Sequence, residues 1–252
     1  MRVCNFICII FFSLILFSCS KKSDIYIPVS DDSDLKVKQS DFLADLNYYT
    51  LSKKNLITSY YSRKSSLMVG SSDSKWNLNV SLYLLRDSIL NGTVSLSFPP
   101  LDVANFKCSD SYLSYKLKIK NISQTLDSKL PLQKFIQSFL FGEILPLYEL
   151  FGLSDYSNFD IYIQDSLFVL KKSAEKQSLL ARLNTDYTLS SLSYDYGGYS
   201  FEFTCGSYSY VDSCLIPLSV DISCTLSNSD TYIAGISLKN IVLNSDKKIE
   251  YK

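Results

Sequence analysis

The chain has 252 residues, with 25 Lys+Arg against 25 Asp+Glu and no histidine, so its formal charge is zero. The missing imidazole excludes His-activated nucleophiles and His metal ligands, and the neutral balance leaves no basic footprint for nucleic acid. The 19 Tyr and 15 Phe against 8 Gly and 6 Pro point to pleated, half-buried strands rather than a disordered chain.

At the N-terminus, Arg2 precedes an apolar stretch from Phe6 to Phe17. That is the length of a signal-peptide core and falls short of the roughly 20 apolar residues a spanning helix needs. Leu16, Phe17, Ser18 and Cys19 follow, and they resemble a bacterial lipobox, with a small residue just before the Cys. The motif implies cleavage before Cys19, a diacylglyceryl group on its thiolate and a further acyl chain such as palmitate on its amine. Residues 1–18 are then a lipoprotein signal peptide, 19–38 a lipidated tether and 39–252 one domain. Ser20, not Asp, follows the Cys, so the expected location is the outer membrane, lipid-anchored on its periplasmic face. Cys4 and Cys8 leave with the signal, while Cys108, Cys205, Cys214 and Cys224 remain in an oxidising compartment, as buried small hydrophobes or as disulfides. Their spacings match no zinc site.

Along the domain, Phe42, Leu43, Leu46 and Tyr49 recur at helical spacing and predict a helix over 40–54 with Ser40 as N-cap. Trp76, Leu78, Val80, Leu82 and Leu84 then alternate with polar residues. Arg86-Asp87-Ser88 turns the chain into a second alternation of Leu90, Gly92, Val94, Leu96 and Phe98. Leu113, Tyr115, Leu117 and Ile119 oppose Lys116, Lys118 and Lys120, a comb that reads as a wet sheet face. Pro131 opens and Gly142 closes a second helix whose apolar side holds Leu132, Phe135, Ile136, Phe139 and Leu140. Strands follow at 159–164 and 166–171. Gly197-Gly198 joins two more in a tight hairpin, and 218–226 and 232–243 complete the series, the last slipping phase near Asn240. About nine to eleven strands thus share one apolar face. The fold class is mainly β with a few helices (α+β): a single curved antiparallel sheet, an incomplete barrel closed by helices.

Two stretches carry a family resemblance. One is Leu84-Leu85-Arg86-Asp87-Ser88-Ile89-Leu90 with Val94-Ser95-Leu96-Ser97-Phe98; the other is Ile136-Gln137-Ser138-Phe139-Leu140-Phe141-Gly142. Together with the lipobox they resemble the LolA/LolB lipoprotein-carrier superfamily, and more narrowly an uncharacterised LolB-like lipoprotein family. That family favours an acidic and then a basic residue where this chain has Asp102 and Asn105. The resemblance implies an apolar cavity under helices that receives acyl chains of lipoproteins or phospholipid, handed over by a soluble periplasmic carrier. Candidate cavity residues are Leu82, Leu84, Val94, Leu96, Phe98, Tyr115, Leu117, Phe135 and Phe139, and Leu101 is the candidate membrane-facing loop residue.

Each cavity candidate would equally fill the core of any single-faced sheet. The first expectation is therefore a membrane-anchored acyl-chain binder that receives lipoproteins for outer-membrane insertion. The alternative is a non-enzymatic structural lipoprotein of the envelope with a packed core. No Gly-x-Ser-x-Gly elbow, phosphate loop or paired-carboxylate motif stands out, so neither reading invokes a catalytic residue, a cofactor or a metal.

Overall fold

The computed structural model describes residues 35–71, 74–118, 121–127, 132–144, 159–174, 177–196, 199–226 and 230–244. Cys19 lies outside them with the signal and the tether up to residue 34, as do Ile119, Lys120, the Gly197-Gly198 pair and the side chain of Phe135, while residues 35–38 of the expected tether are described and Leu35–Lys36 pair with the sheet.

The elements in order are β1 (Leu35–Lys36), α1 (Gln39–Leu56), β2 (Ser59–Ser71), β3 (Lys75–Leu85), β4 (Ile89–Leu96), β5 (Leu101–Cys108), β6 (Tyr112–Leu117) and β7 (Ile122–Asp127). Then come α2 (Leu132–Phe141), β8 (Asp160–Gln164), β9 (Leu167–Ala174), β10 (Gln177–Leu183), β11 (Leu189–Tyr196) and β12 (Tyr199–Gly206). The chain continues through β13 (Ser209–Val211), β14 (Cys214–Ile216), β15 (Ser219–Thr225), β16 (Thr231–Ser237) and β17 (Val242–Leu243).

Fifteen of these strands form one antiparallel sheet in the order β1-β8-β9-β10-β11-β12-β15-β16-β2-β3-β4-β5-β6-β7, with β17 also paired to β2. Among the described residues β1 and β7 end the order and do not pair with each other, so the sheet curves without closing. Period-2 alternation puts one residue in two on the inner face. Ile161, Leu170, Ala181, Leu192, Phe203, Ile222, Ala234 and Val69 lie side by side across eight strands. α1, α2 and the β13–β14 hairpin cover this face. α1 buries Phe42 and Leu46, and the hairpin buries Cys214 and Ile216.

The sheet has more strands than the alternation suggests. β2 carries Tyr60, Ser62, Ser65 and Val69 inward, but its phase breaks at a register shift between Ser62 and Ser65, beside Lys64 at φ 54°. β10 reads Gln177-Ser-Leu-Leu-Ala-Arg-Leu, whose adjacent leucines mask the alternation. The last strand is two short ones. Asn240, at φ 49°, interrupts it and donates from Nδ2 to the Arg63 carbonyl, so the kink follows the irregularity of β2. α1 starts at Gln39 after Lys38, and Ser40 instead donates to Asp41 within the first turn. The second helix is as the sequence predicts, with Gly142 at φ 64° just past its end. The strands on either side of the Gly-Gly pair are antiparallel neighbours, as predicted, with Tyr196 opposite Tyr199. All four described cysteines are buried and free.

Gly92 is required for packing. It faces Phe106 on β5, whose ring lies over the glycine, and a Cβ there would meet ring atoms at 2.2 and 2.3 Å. Gly92→Ala should cost about 1–3 kcal/mol of overpacking. Urea unfolding monitored by circular dichroism would read that loss as a lower midpoint with an unchanged slope.

Candidate functional site

α2 is the element that the inner face closes on. Its apolar side enters both halves of the interior, with Ile136 packed against each. Phe139 stacks on Phe203 at 4.4 Å between ring centroids, and Phe141 meets Tyr60 edge-on at 5.9 Å. Its other side is polar but equally buried: Gln133, Gln137 and Ser138 are at most 2 % exposed.

The polar side is matched by the β3–β4 turn. Arg86 Nη2 donates to both Glu143 carboxylate oxygens, at 2.5 and 2.6 Å, and the two side chains are only 6 % and 0 % exposed. The Arg86 guanidinium also lies 4.7 Å from the Phe141 ring centroid, a cation–π contact in a dry setting. Next to it, the Asp87 N–H donates to Gln137 Oε1, and Gln137 Nε2 donates back to the Asp87 carboxylate. Gln133 Nε2 donates to Gln137 Oε1. The two stretches that carry the family resemblance therefore touch each other in the fold.

The helix end is held from three more sides. The Lys53 ammonium of α1 donates to the Phe141 carbonyl and to the Tyr49 hydroxyl. The Leu189 N–H donates to the Gly142 carbonyl, and Tyr208 donates its hydroxyl to the Leu189 carbonyl. A Cβ at Gly142 would meet Tyr208 Oη at 2.4 Å, so Tyr208 and the positive φ both require glycine there. Two cations at a helix C-terminus also suit its partial negative charge. Burial pushes Lys53 down to about 8, with Glu143 and Cys214 acting the other way and Arg86 adding to the fall. Burial likewise pushes the Glu143 carboxyl up, opposed by Arg86 and Lys53. The Cys205 thiol, beside the Phe139 carbonyl, is pushed up to about 12 by burial, which favours its protonated form.

Leu82, Leu84, Val94, Leu117 and Phe139 are between 0 % and 5 % exposed, packed against other side chains. Leu96 and Tyr115 pack partly on the same cluster, and the Tyr115 hydroxyl donates to Gln124. Phe98 does not join them. It is 91 % exposed on the β4–β5 turn with Leu101, itself 50 % exposed, so the two form one apolar tip. Asp102, at the base of that turn, pairs with Lys118 at 3.0 Å, which supplies the base that position 105 lacks. Of the pair at the centre of the site, the sequence marks Arg86 only as a turn and motif residue and does not mark Glu143 at all. Asp110, which accepts from the Lys134 N–H in the first turn of α2, was missed as well. Among the described residues no cluster has the ligands to hold a metal ion, and no helix is long and apolar enough to cross a membrane.

No protein-family model matches the sequence, and no curated protein matches it. Solved structures do. A DUF1329 family protein from Desulfovibrio piger is 9 % identical, with 82 % of this chain and 94 % of that one covered at a TM-score of 0.51. A domain named for outer-membrane lipoprotein sorting, from Vibrio parahaemolyticus, is 8 % identical, with 80 % and 93 % covered at 0.50. A LolA superfamily protein from Nitrosomonas europaea is 8 % identical, with 84 % and 96 % covered at 0.48. The chain shares the fold of the first two. Its open curved sheet over helices is the architecture the sequence suggests, and at such identities the likeness speaks for fold alone.

Two outcomes test the site. Glu143→Gln leaves the buried Arg86 guanidinium without its counter-charge and should cost about 3–5 kcal/mol. The paired replacement Arg86→Met with Glu143→Leu should cost much less, and urea unfolding of the two variants beside the natural chain compares them. Lys53 releases its proton near pH 8 in the folded chain and near 10.5 when unfolded. Across that interval the unfolded chain binds more protons, so this group's contribution to stability rises with pH. The stability of the natural chain relative to Lys53→Met should therefore grow from about pH 8 to 10.5.

Proposed function

We propose that this is a lipid-anchored protein of the bacterial envelope that receives acyl chains against its apolar inner face, with α2 as the element they displace. The observation that carries the reading is the seat of α2. Its apolar side fills the trough between the two halves of the interior, while its polar side is held by a short row of contacts from Gln133, Gln137 and Glu143 to the β3–β4 turn and from the Lys134 N–H to Asp110. Swinging α2 out would leave Leu84, Leu113 and Phe203 to line a trough of the kind an acyl chain fills. Each methylene buried there would contribute about 0.8 kcal/mol. Non-directional burial suits cargo that varies in sequence but shares its lipid.

The anchor at Cys19 and the periplasmic face of the outer membrane belong to the same reading, supported by the lipobox and by the absence of Asp after the Cys. The Phe98–Leu101 tip would then meet the membrane surface, with Phe98 on the four-residue turn that paired Leu96 and Leu101 close, and Leu101 at its end. A soluble periplasmic carrier is the natural donor of the acyl chains. The close packing of the interior favours a second reading, an envelope scaffold whose inner face is permanently core.

One experiment separates the two. The chain is purified from membranes in mild detergent and its mass is measured both denatured and native. The denatured mass should be that of residues 19–252 plus a diacylglyceryl and an acyl group. The native mass should show an additional, non-covalent acylated molecule, which Leu96→Glu, at the rim of the trough, should abolish. A native mass equal to the denatured one, with no uptake of an acylated peptide, would leave the scaffold reading standing.

A further inference from the structure

The outer face of the sheet carries a feature that acyl binding does not use. Across β8 to β11 it forms a depression of about 280 Å³, near the lower end of ligand clefts of about 300–1,000 Å³. Lys171 of β9 and Arg182 of β10 both line it, half-buried. Neither forms an ion pair among the described residues. Lys171 stands opposite Leu180 in the ladder and Arg182 two residues further along the same strand. Such diagonal neighbours lie about 7–8 Å apart and repel when both are cationic. Asp160, opposite Lys171, is exposed and makes no ion pair with it either.

Beside the cations part of the lining is apolar, from Leu180 on β10 and the Tyr162 ring on β8. At the other end, one ladder row beyond Lys171, Ser173, Ser178 and Asp195 face the depression side by side, and the Ser178 hydroxyl donates to Asp195 at 2.9 Å. The hydroxyl–carboxylate end lies one row from Lys171 and two from Arg182, each row about 7 Å from the next at roughly 3.3 Å per residue.

We propose that this depression binds a phosphate ester, its anionic group between Lys171 and Arg182 and its amine or hydroxyl substituent facing Ser173, Ser178 and Asp195. A guanidinium fork and an ammonium from adjoining strands engage several oxygens of one tetrahedral anion and relieve their mutual repulsion. A planar carboxylate would satisfy only one of them well. The carboxylate at the far end excludes a second anionic group and accepts from an ammonium, so ethanolamine phosphate, met by the long Lys171 and Arg182 side chains, carries the group that each end takes.

Calorimetric titration of the purified chain with O-phosphoethanolamine, inorganic phosphate and acetate tests the site. Saturable binding of the first should exceed that of phosphate, with acetate weakest. Arg182→Gln and Lys171→Gln should each weaken it by about tenfold or more, the loss of a charge-assisted contact. Asp195→Asn should weaken O-phosphoethanolamine and leave inorganic phosphate unchanged, and the charge-preserving Arg182→Lys should retain most binding in an intact fold. Competition by phosphatidylethanolamine vesicles would assign the site to a lipid headgroup, and its absence to a soluble ester. No saturable binding of either phosphate compound, equal affinity for acetate, or binding indifferent to the Gln variants would overturn the proposal.

Discussion

A guanidinium and a carboxylate withdrawn from water together set the position of α2. Apolar burial is non-directional, and a helix with Phe139, Leu140 and Phe141 on one side could rest on a uniformly apolar sheet face in several ways. The Arg86–Glu143 pair removes that freedom. Any seat that leaves Glu143 buried without Arg86 carries an unpaired charge, which costs more than a few lost methylene contacts. Arg86 sits in a tight hairpin turn and Glu143 just after a helix end closed by Gly142, so both charges are carried on rigid elements.

An open sheet needs such an element. Fifteen antiparallel strands that curve without closing expose one apolar concavity, and α1, α2 and the β13–β14 hairpin are the described pieces that fill it. They contribute unequally. α1 lies over the half that contains Leu170, Leu192 and Phe203, while the hairpin packs Cys214 and Ile216 with Leu84 and Leu113 in the other. α2 reaches into both, and Lys53 ties it to α1 through the Phe141 carbonyl. The polar contacts that hold α2 are thus where one set of changes would alter the cover over the whole face.

Much of this was legible in the sequence because period and turn chemistry are local. Alternating residues announced β3, β4 and β6, Gly197-Gly198 announced a hairpin, and Pro131 with Gly142 bracketed α2. What was hidden depends on partners distant in the chain. β2 lost its phase to an irregularity that is matched by Asn240, far along the sequence. Ser40 looked like an N-cap because of its residue type, but the helix begins a residue before it. Phe98 continued the alternation of β4 into a turn, where pairing stops and the side chain has no inner face to join. The charge pair at the centre of the site joins residues 57 apart, and no spacing rule connects a turn arginine to a glutamate after a helix.

The strictness of the two-residue period also separates the two faces of the same strands. Leu170, Ala181 and Leu192 point into the core from β9, β10 and β11, while Lys171, Arg182 and Ser193 beside them point outward. A change of inner side chain alters packing under the helices, and a change of outer side chain alters only the depression. The sheet can therefore carry an apolar function inside and a polar one outside without either restricting the other. The backbone ladder between them is held by its own hydrogen bonds and constrains both faces only through register, since a slip of one residue would exchange them.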